Sequence, residues 1–251
     1  MSTQTQTIPD PAFHKWPASA SNDYVAARRD LLEKEWALRN QIEEVAAQRR
    51  ALPAGPILPT YTFEEGPWDL NSSSPTQKVT LADVAKSGEL GHKTLVVYHM
   101  MMGENATKAC PACSMFVDGL NGVAKHLSQH FNLAVIAKAP LPAIRTYALK
   151  RGWHNLRFLS SFDNTFNKDM GVEAPEWISD MPQGPGMSVF RYEDGQIRFL
   201  YQTTPHFAGP EVIRGMDLLT PVWNMLDITP EGRGDWNPGF DYVEKWDGVK
   251  F

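Results

Sequence analysis

The sequence predicts an α/β fold, with a central mixed sheet flanked by helices and one long helix in front of it. Three observations carry this. From Leu95 to Asp169, short apolar runs rich in β-branched residues alternate with segments of helical periodicity, the pattern of strands joined by crossover helices in a largely parallel sheet. Asp194-Gly195 separates the runs 187–192 and 197–202, a strong hairpin signal that adds an antiparallel edge. Residues from Asn22 to about Ala51 read as a single helix that stops at Leu52-Pro53.

In chain order, residues 1–21 are polar and proline-containing and read as a loose arm. The long helix follows, with Asn22 or Asp23 as its cap, Glu35 and Arg39 as an i,i+4 pair, and Val25, Leu31, Leu32, Trp36, Leu38, Ile42 and Val45 as its apolar residues. At about 1.5 Å per residue it is about 45 Å long. Two uses compete for it: an arm along its own domain, or pairing with a second copy as a homodimer. Next come a Pro- and Gly-rich connector carrying Tyr61-Thr62-Phe63, and a short helical turn after Val79-Thr80. Leu95–Tyr98 is a buried strand, 132–137 a second and 156–159 a third, with helices at 141–150 and 163–169 stopped by Gly152 and Gly171. An apolar helix is expected over 212–226. The boundaries are arm 1–21, helix 22–52, α/β domain 53–233 and irregular tail 234–251.

The only two cysteines fall where the first of these strands hands over to a helix, as Cys110-Pro111-Ala112-Cys113. Phe116, Leu120, Val123 and Leu127 continue one helical face, and Pro111 suits a first helical turn because its missing N–H has no intrahelical partner there. Cys110 then sits at the cap and Cys113 one turn on. A thiol at a helix N-terminus feels the positive end of the macrodipole and meets free backbone N–H groups, which can bring its pKa from about 8.5 into the range of about 3.5–7.5. Two intervening residues permit a short reversible disulfide. The residues point to a redox-active dithiol, against a buried structural pair or half of a metal site.

The spacing Cys110-x2-Cys113-x12-His126-x3-His130 also satisfies a zinc-finger pattern. One continuous helix argues against it. His126 and His130 follow Cys113 by 13 and 17 residues, on the order of 20–25 Å along a helix axis, too far to share an ion.

With 251 residues, 42% hydrophobic, 21% charged and a net charge of −5, the chain has the composition of a globular protein. The charge gives no reason to expect nucleic acid or a membrane surface as partner. No apolar run approaches the ~20 residues of a membrane span, and the start MSTQTQTIPDPAFHKW lacks the pattern of a signal peptide. A cytoplasmic protein is expected, where a close cysteine pair is more often catalytic than structural.

The order strand, CxxC, helix, strand, late hairpin and last helix resembles the thioredoxin fold, and the middle of the chain its peroxiredoxin-like branch. Val79-Thr80-Leu81-Ala82-Asp83 resembles the segment before that branch's first core strand, and Ala137-Lys138-Ala139-Pro140 through Gly152 its continuation. At finer grain, Tyr98-His99-Met100-Met101-Met102-Gly103, Cys110–Ser114, Asp118–Gly122, Arg151-Gly152-Trp153, Ser160-Ser161-Phe162 and Pro185–Phe190 are similar to the DUF899 group of thioredoxin-like proteins, a likeness spanning Asp23 to Arg233. The resemblance implies Cys110 as attacking thiolate and Cys113 as resolving thiol, acting on a protein or small-molecule disulfide with no cofactor and no metal. The peroxiredoxin pattern implies instead Cys113 as the peroxide-attacking thiol. The position of the thioredoxin proline beside the disulfide falls on Met187, two residues after Pro185.

The remaining candidates surround the motif. Ser114 is placed to bond in the first turn, and Lys108 to favour a thiolate. His99 either tunes the pair or joins Met100, Met101 and Met102 in binding a soft metal, against plain packing. Gly184, Pro185 and Gly186 suggest a close backbone approach next to the site, and Trp153, His154 and His206 are weaker pocket candidates.

Overall fold

The computed structural model describes residues 16–88, 90–178, 181–208, 214–240 and 242, and the chain divides into two compact units, 1–53 and 54–251. Most of the arm expected at the start, and much of the tail, lie outside the described residues.

The first unit is helix α1, Asn22–Arg50. Its cap is Ser21, one residue earlier than expected, whose Oγ accepts the Tyr24 N–H at 3.2 Å; a small hydroxyl in extended backbone satisfies an N–H left over by the first turn. Glu35 pairs with Arg28 at 2.8 Å and Arg39 lies 3.9 Å from Glu43, in place of the expected Glu35–Arg39 pair. No α1 residue is fully buried. No helix among the described residues is long and apolar enough to cross a membrane.

The second unit is built on one seven-stranded sheet. Its elements are β1 (Thr62–Glu65), β2 (Gln77–Thr80), α2 (Leu81–Lys86), β3 (Thr94–His99), α3 (Pro111–Leu127), β4 (Asn132–Ala137) and α4 (Leu141–Arg151), then β5 (Arg157–Ser160), α5 (Phe166–Asp169), β6 (Gly186–Glu193), β7 (Gln196–Thr203) and α6 (Pro221–Asp227). The sheet order is β2-β1-β5-β4-β3-β6-β7. β3, β4 and β5 are parallel, while β6, β7, β1 and β2 are antiparallel to their neighbours. The β4-β3-β6-β7 core, with α3 crossing between β3 and β4, is the thioredoxin-like arrangement, and β5 and the β1–β2 hairpin extend it.

Strand alternation divides the core. Tyr98, Val135, Ala137 and Phe158 face α3 and α4, while Leu95, Val97, Ala134, Ile136 and Leu159 face α2 and α5; successive side chains of a strand point to opposite sides. On the second face Phe166 meets Phe63 edge-on at 5.1 Å and stacks within 5.5 Å of His99. Thr80 and Asp83 close a capping box that starts α2, and this bonding holds the Asp83 carboxyl below the usual carboxylate range. The hairpin turn is the expected one, with Asp194 and Gly195 both at positive φ, 50° and 84°.

The helix expected over 212–226 is not continuous. Val212 and Ile213 lie outside the described residues; a 3-10 turn, Asp217–Leu219, follows, and α6 begins only at Pro221. Pro221 inside a helix would lack an N–H and clash with the preceding turn, so the helix starts there afresh.

Candidate functional site

The Cys110–Cys113 motif stands at the C-terminal end of β3, the end from which α3 begins. The chain leaves β3 at His99, runs through Met100–Ala109 and re-enters regular structure at Pro111, with Cys110 as the residue before the helix in extended backbone. Met101 closes that loop. Its carbonyl accepts the Cys110 N–H at 3.0 Å, and its own N–H donates to Cys113 Sγ at 3.4 Å. Ser114 ties the first turn down: its N–H and Oγ both donate to the Cys110 carbonyl, at 2.8 and 3.0 Å, and Oγ also bonds Tyr147 Oη at 2.9 Å.

Both thiols are free and buried, Cys110 at 7% exposure and Cys113 at 1%, while Ala112 between them is exposed. The two sulfurs are neighbours and their acidities are driven apart. The Cys113 S–H donating to Cys110 holds the Cys110 thiol below its ordinary value, and the Cys113 and Ala112 amides act the same way against the effect of burial. Burial pushes Cys113 well up, reinforced by its bond to Cys110 and by the charge there; the Tyr98 hydroxyl and the Met101 N–H oppose this without reversing it. Tyr98, buried and stacked on Phe116 at 5.0 Å, therefore touches the deeper sulfur, and burial together with the Cys113 charge raises its own phenol.

The other sequence candidates separate. Pro111 is buried in the first turn of α3, and Lys108 is exposed with its ammonium 4.9 Å over the Phe240 ring. Met187 pairs with Tyr98 across β3 and β6 and lies in the same apolar cluster as the cysteines. Pro185 is half-buried just before β6. A Cβ on Gly186 would lie 3.3 Å from the Thr203 carbonyl and 3.6 Å from the His99 ring, and one on Gly184 would meet Trp177 at 2.7 Å, so the close approaches there are to the Thr203 backbone and the Trp177 ring.

His99 is a correction. It projects to the opposite sheet face from the cysteines, stacked on Phe166, with Nε2 2.7 Å from Ser188 Oγ, and burial brings its pKa down to about 3. It therefore does not join Met100–Met102, which pack on the dithiol side. Trp153 is core, its Nε1–H donating to Asp118 at 2.7 Å, His154 is exposed, and His206 lies against Trp177. α3 is unbroken from Pro111 to Leu127, which excludes the zinc-finger grouping of Cys113 and His126. Among the described residues no group of three or more His, Cys, Asp or Glu side chains is placed to hold a metal ion. Tyr98 and Met101 are the contacts that the sequence reading missed. The parity of β3 signals Tyr98, two residues before Met100 on the apolar face toward α3; nothing local signals the backbone of Met101.

Residues 14–248 match the family model described as a bacterial protein of unknown function, DUF899. The chain belongs to the DUF899 family. Comparison with curated proteins gives no match. Among solved structures it is similar to reduced Prx3 of Vibrio vulnificus in complex with hydrogen peroxide (13% identity, TM-score 0.44, 61% of this chain and 87% of that one). It is also similar to AhpC of Enterococcus faecalis (10%, TM-score 0.45, 66% and 87%) and to a peroxiredoxin-like protein of Aquifex aeolicus (14%, TM-score 0.39, 61% and 76%).

Proposed function

We propose that this DUF899 protein is a thiol–disulfide oxidoreductase of a reducing compartment, with Cys110 attacking and Cys113 resolving. The observation that carries the reading is the split of the two thiols: the more acidic one caps the helix beside exposed Ala112, and the less acidic one lies beneath it, donating to it.

The Cys110 thiolate attacks one sulfur of a substrate disulfide; that S–S bond breaks, a mixed disulfide forms, and the first substrate thiolate leaves and takes a proton from water. Cys113 then loses its proton and attacks the Cys110 sulfur. The mixed disulfide breaks, the second substrate thiol departs with a proton, and Cys110–Cys113 is left oxidised. Two electrons have passed to the substrate, and an external dithiol returns them for the next turnover. The helix N-terminus supports the first step. Loss of the Cys113 S–H bond once Cys110 is held in the mixed disulfide, with the Tyr98 and Met101 donors still in place, supports the second. A peroxidase attacking through Cys113 would need the more buried and less acidic thiol to be the thiolate.

The test is an equilibrium titration in glutathione buffers, read by thiol alkylation and mass spectrometry. A defined potential between about −120 and −270 mV places the pair among working exchange catalysts. Failure to form the intramolecular disulfide at any poise ends the reading.

A further inference from the structure

The stretch Met101–Lys108 on one side and Glu173, Ala174, Pro182 and Gln183 on the other line an open cavity of about 550 Å³ near the dithiol. Met101 forms part of its wall, so the residue whose backbone holds both cysteines also lines the cavity. The polar lining includes Glu104, Glu173 and Gln183, while Lys108, also in the wall, holds its ammonium over the Phe240 ring. The carboxylates are organised from below. Lys138 is buried, donates to the Asn164 carbonyl at 2.9 Å, and reaches Glu104 at 3.9 Å and Glu173 at 3.7 Å. Gln183 is only 5% exposed, and its Oε1 accepts Asn167 Nδ2 at 2.8 Å, Asn167 being fixed in turn by Ser161. That bond sets the amide's orientation, and its NH2 has no partner among the described residues. Gln183 lines the cavity, so this NH2 is available to donate to a ligand there.

We propose that this cavity binds the substrate, a low-molecular-weight disulfide bearing both an ammonium and a carboxylate group, as amino-acid disulfides do. The inference rests on the dithiol reading and narrows its substrate. The Gln183 NH2 donates to the carboxylate, and Glu104 and Glu173 take the ammonium. A cavity of this volume lies within the small-molecule range. The burial of both sulfurs disfavours a folded protein, whose surface disulfide would have to reach a thiol exposed by only 7%.

The experiment oxidises the reduced full-length protein with cystine, with 2-hydroxyethyl disulfide and with insulin. Intramolecular disulfide formation is followed by acid quench and mass spectrometry, and each rate is divided by the rate at which free dithiothreitol reduces the same reagent. Cystine is expected to exceed 2-hydroxyethyl disulfide by about tenfold, the size of one or two charge-assisted contacts, and to exceed insulin by more. Glu104→Gln, at a half-exposed position that the fold tolerates, and Gln183→Leu should each lower the cystine to 2-hydroxyethyl disulfide ratio severalfold. Equal normalised rates for cystine and 2-hydroxyethyl disulfide, a faster insulin rate, or a ratio untouched by Glu104→Gln overturns the substrate assignment while leaving the dithiol intact. No disulfide formed with any reagent removes the dithiol reading itself.

Discussion

The Met101 amide donates to the Cys113 sulfur at 3.4 Å, while the carbonyl of the same residue receives the Cys110 N–H at 3.0 Å. One residue of the loop after β3 therefore fixes both ends of the motif, and the loop closes on itself before α3 begins. The sulfurs are held in register by backbone, and of the substitutions at Met101 only proline removes the donor. This leaves the helix N-terminus and the Cys113 S–H to favour charge on Cys110, and burial to keep Cys113 protonated.

The thiols should therefore react in a fixed order. Under iodoacetamide at pH 6–7 the reduced protein should be labelled first at Cys110, because its thiol is held below the ordinary range by the Cys113 bond while that of Cys113 is pushed well above by burial. Peptide mass mapping of the first alkylated species checks this, and Cys113 labelled first would reverse the assigned roles.

Removing the resolving thiol should stop the exchange half-way. With Cys113→Ser, a disulfide reagent should leave a stable adduct on Cys110, visible as an intact-mass increase that dithiothreitol removes; with Cys110→Ser no comparable adduct should build up. Equal adducts on the two variants would show that either sulfur can attack.

Much of this site was legible in the sequence, for a local reason: the strand, the cysteines and the helix are contiguous, so apolar runs and Pro111 specify the junction. The hairpin was equally local, since Asp194 and Gly195 supply the positive φ angles. What escaped was what distant residues decide. β1 lies beside β5 because Phe63 fills the pocket against Phe166, and neither neighbour is visible from the other's stretch of chain. His99 departs from its expected place for a different reason. Sequence proximity to Met100 suggests a shared site, although alternation along β3 puts Leu95, Val97 and His99 on one face and Tyr98 on the other.

A largely buried ion pair joins β5 to β1 near the β2 edge of the sheet. The Arg157 guanidinium grips the Glu65 carboxylate through Nε and, at 2.7 Å, through Nη2, and Gln77 adds a bond to the same carboxylate at 3.0 Å. Both side chains are largely buried, at 16% and 8% exposure. Arg157→Leu leaves a buried carboxylate without its cation and should cost about 3–5 kcal/mol, whereas replacing both partners by leucine should restore much of the loss. Urea unfolding of the single and double variants measures this, and a single variant within about 0.5 kcal/mol of the parent would contradict it.

His99 gives the fold its sharpest expected pH dependence. Its Nε2 is bonded to Ser188, Nδ1 has no partner among the described residues, and burial lowers its pKa to about 3. In the unfolded chain the ring titrates near 6.5. Between these values the unfolded state binds a proton that the folded state refuses, so the stability present above pH 6.5 is lost progressively as pH falls toward 3. The slope is up to about 1.4 kcal/mol per pH unit for one such proton. The Asp83 and Asp169 carboxyls, held low by their bonds to Thr80 and Thr165, also lose their contribution on acidification, but only below the ordinary carboxylate range near 4. The interval from pH 6.5 to 5 therefore isolates the histidine. Urea midpoints of the parent should fall across it, and those of His99→Gln, which keeps a polar partner for Ser188 but cannot take up the proton, should stay nearly level. A parent equally stable at pH 7 and pH 5 would mean that the ring is not held neutral by the core, and that its place between Phe166 and Ser188 is open enough to admit a charge.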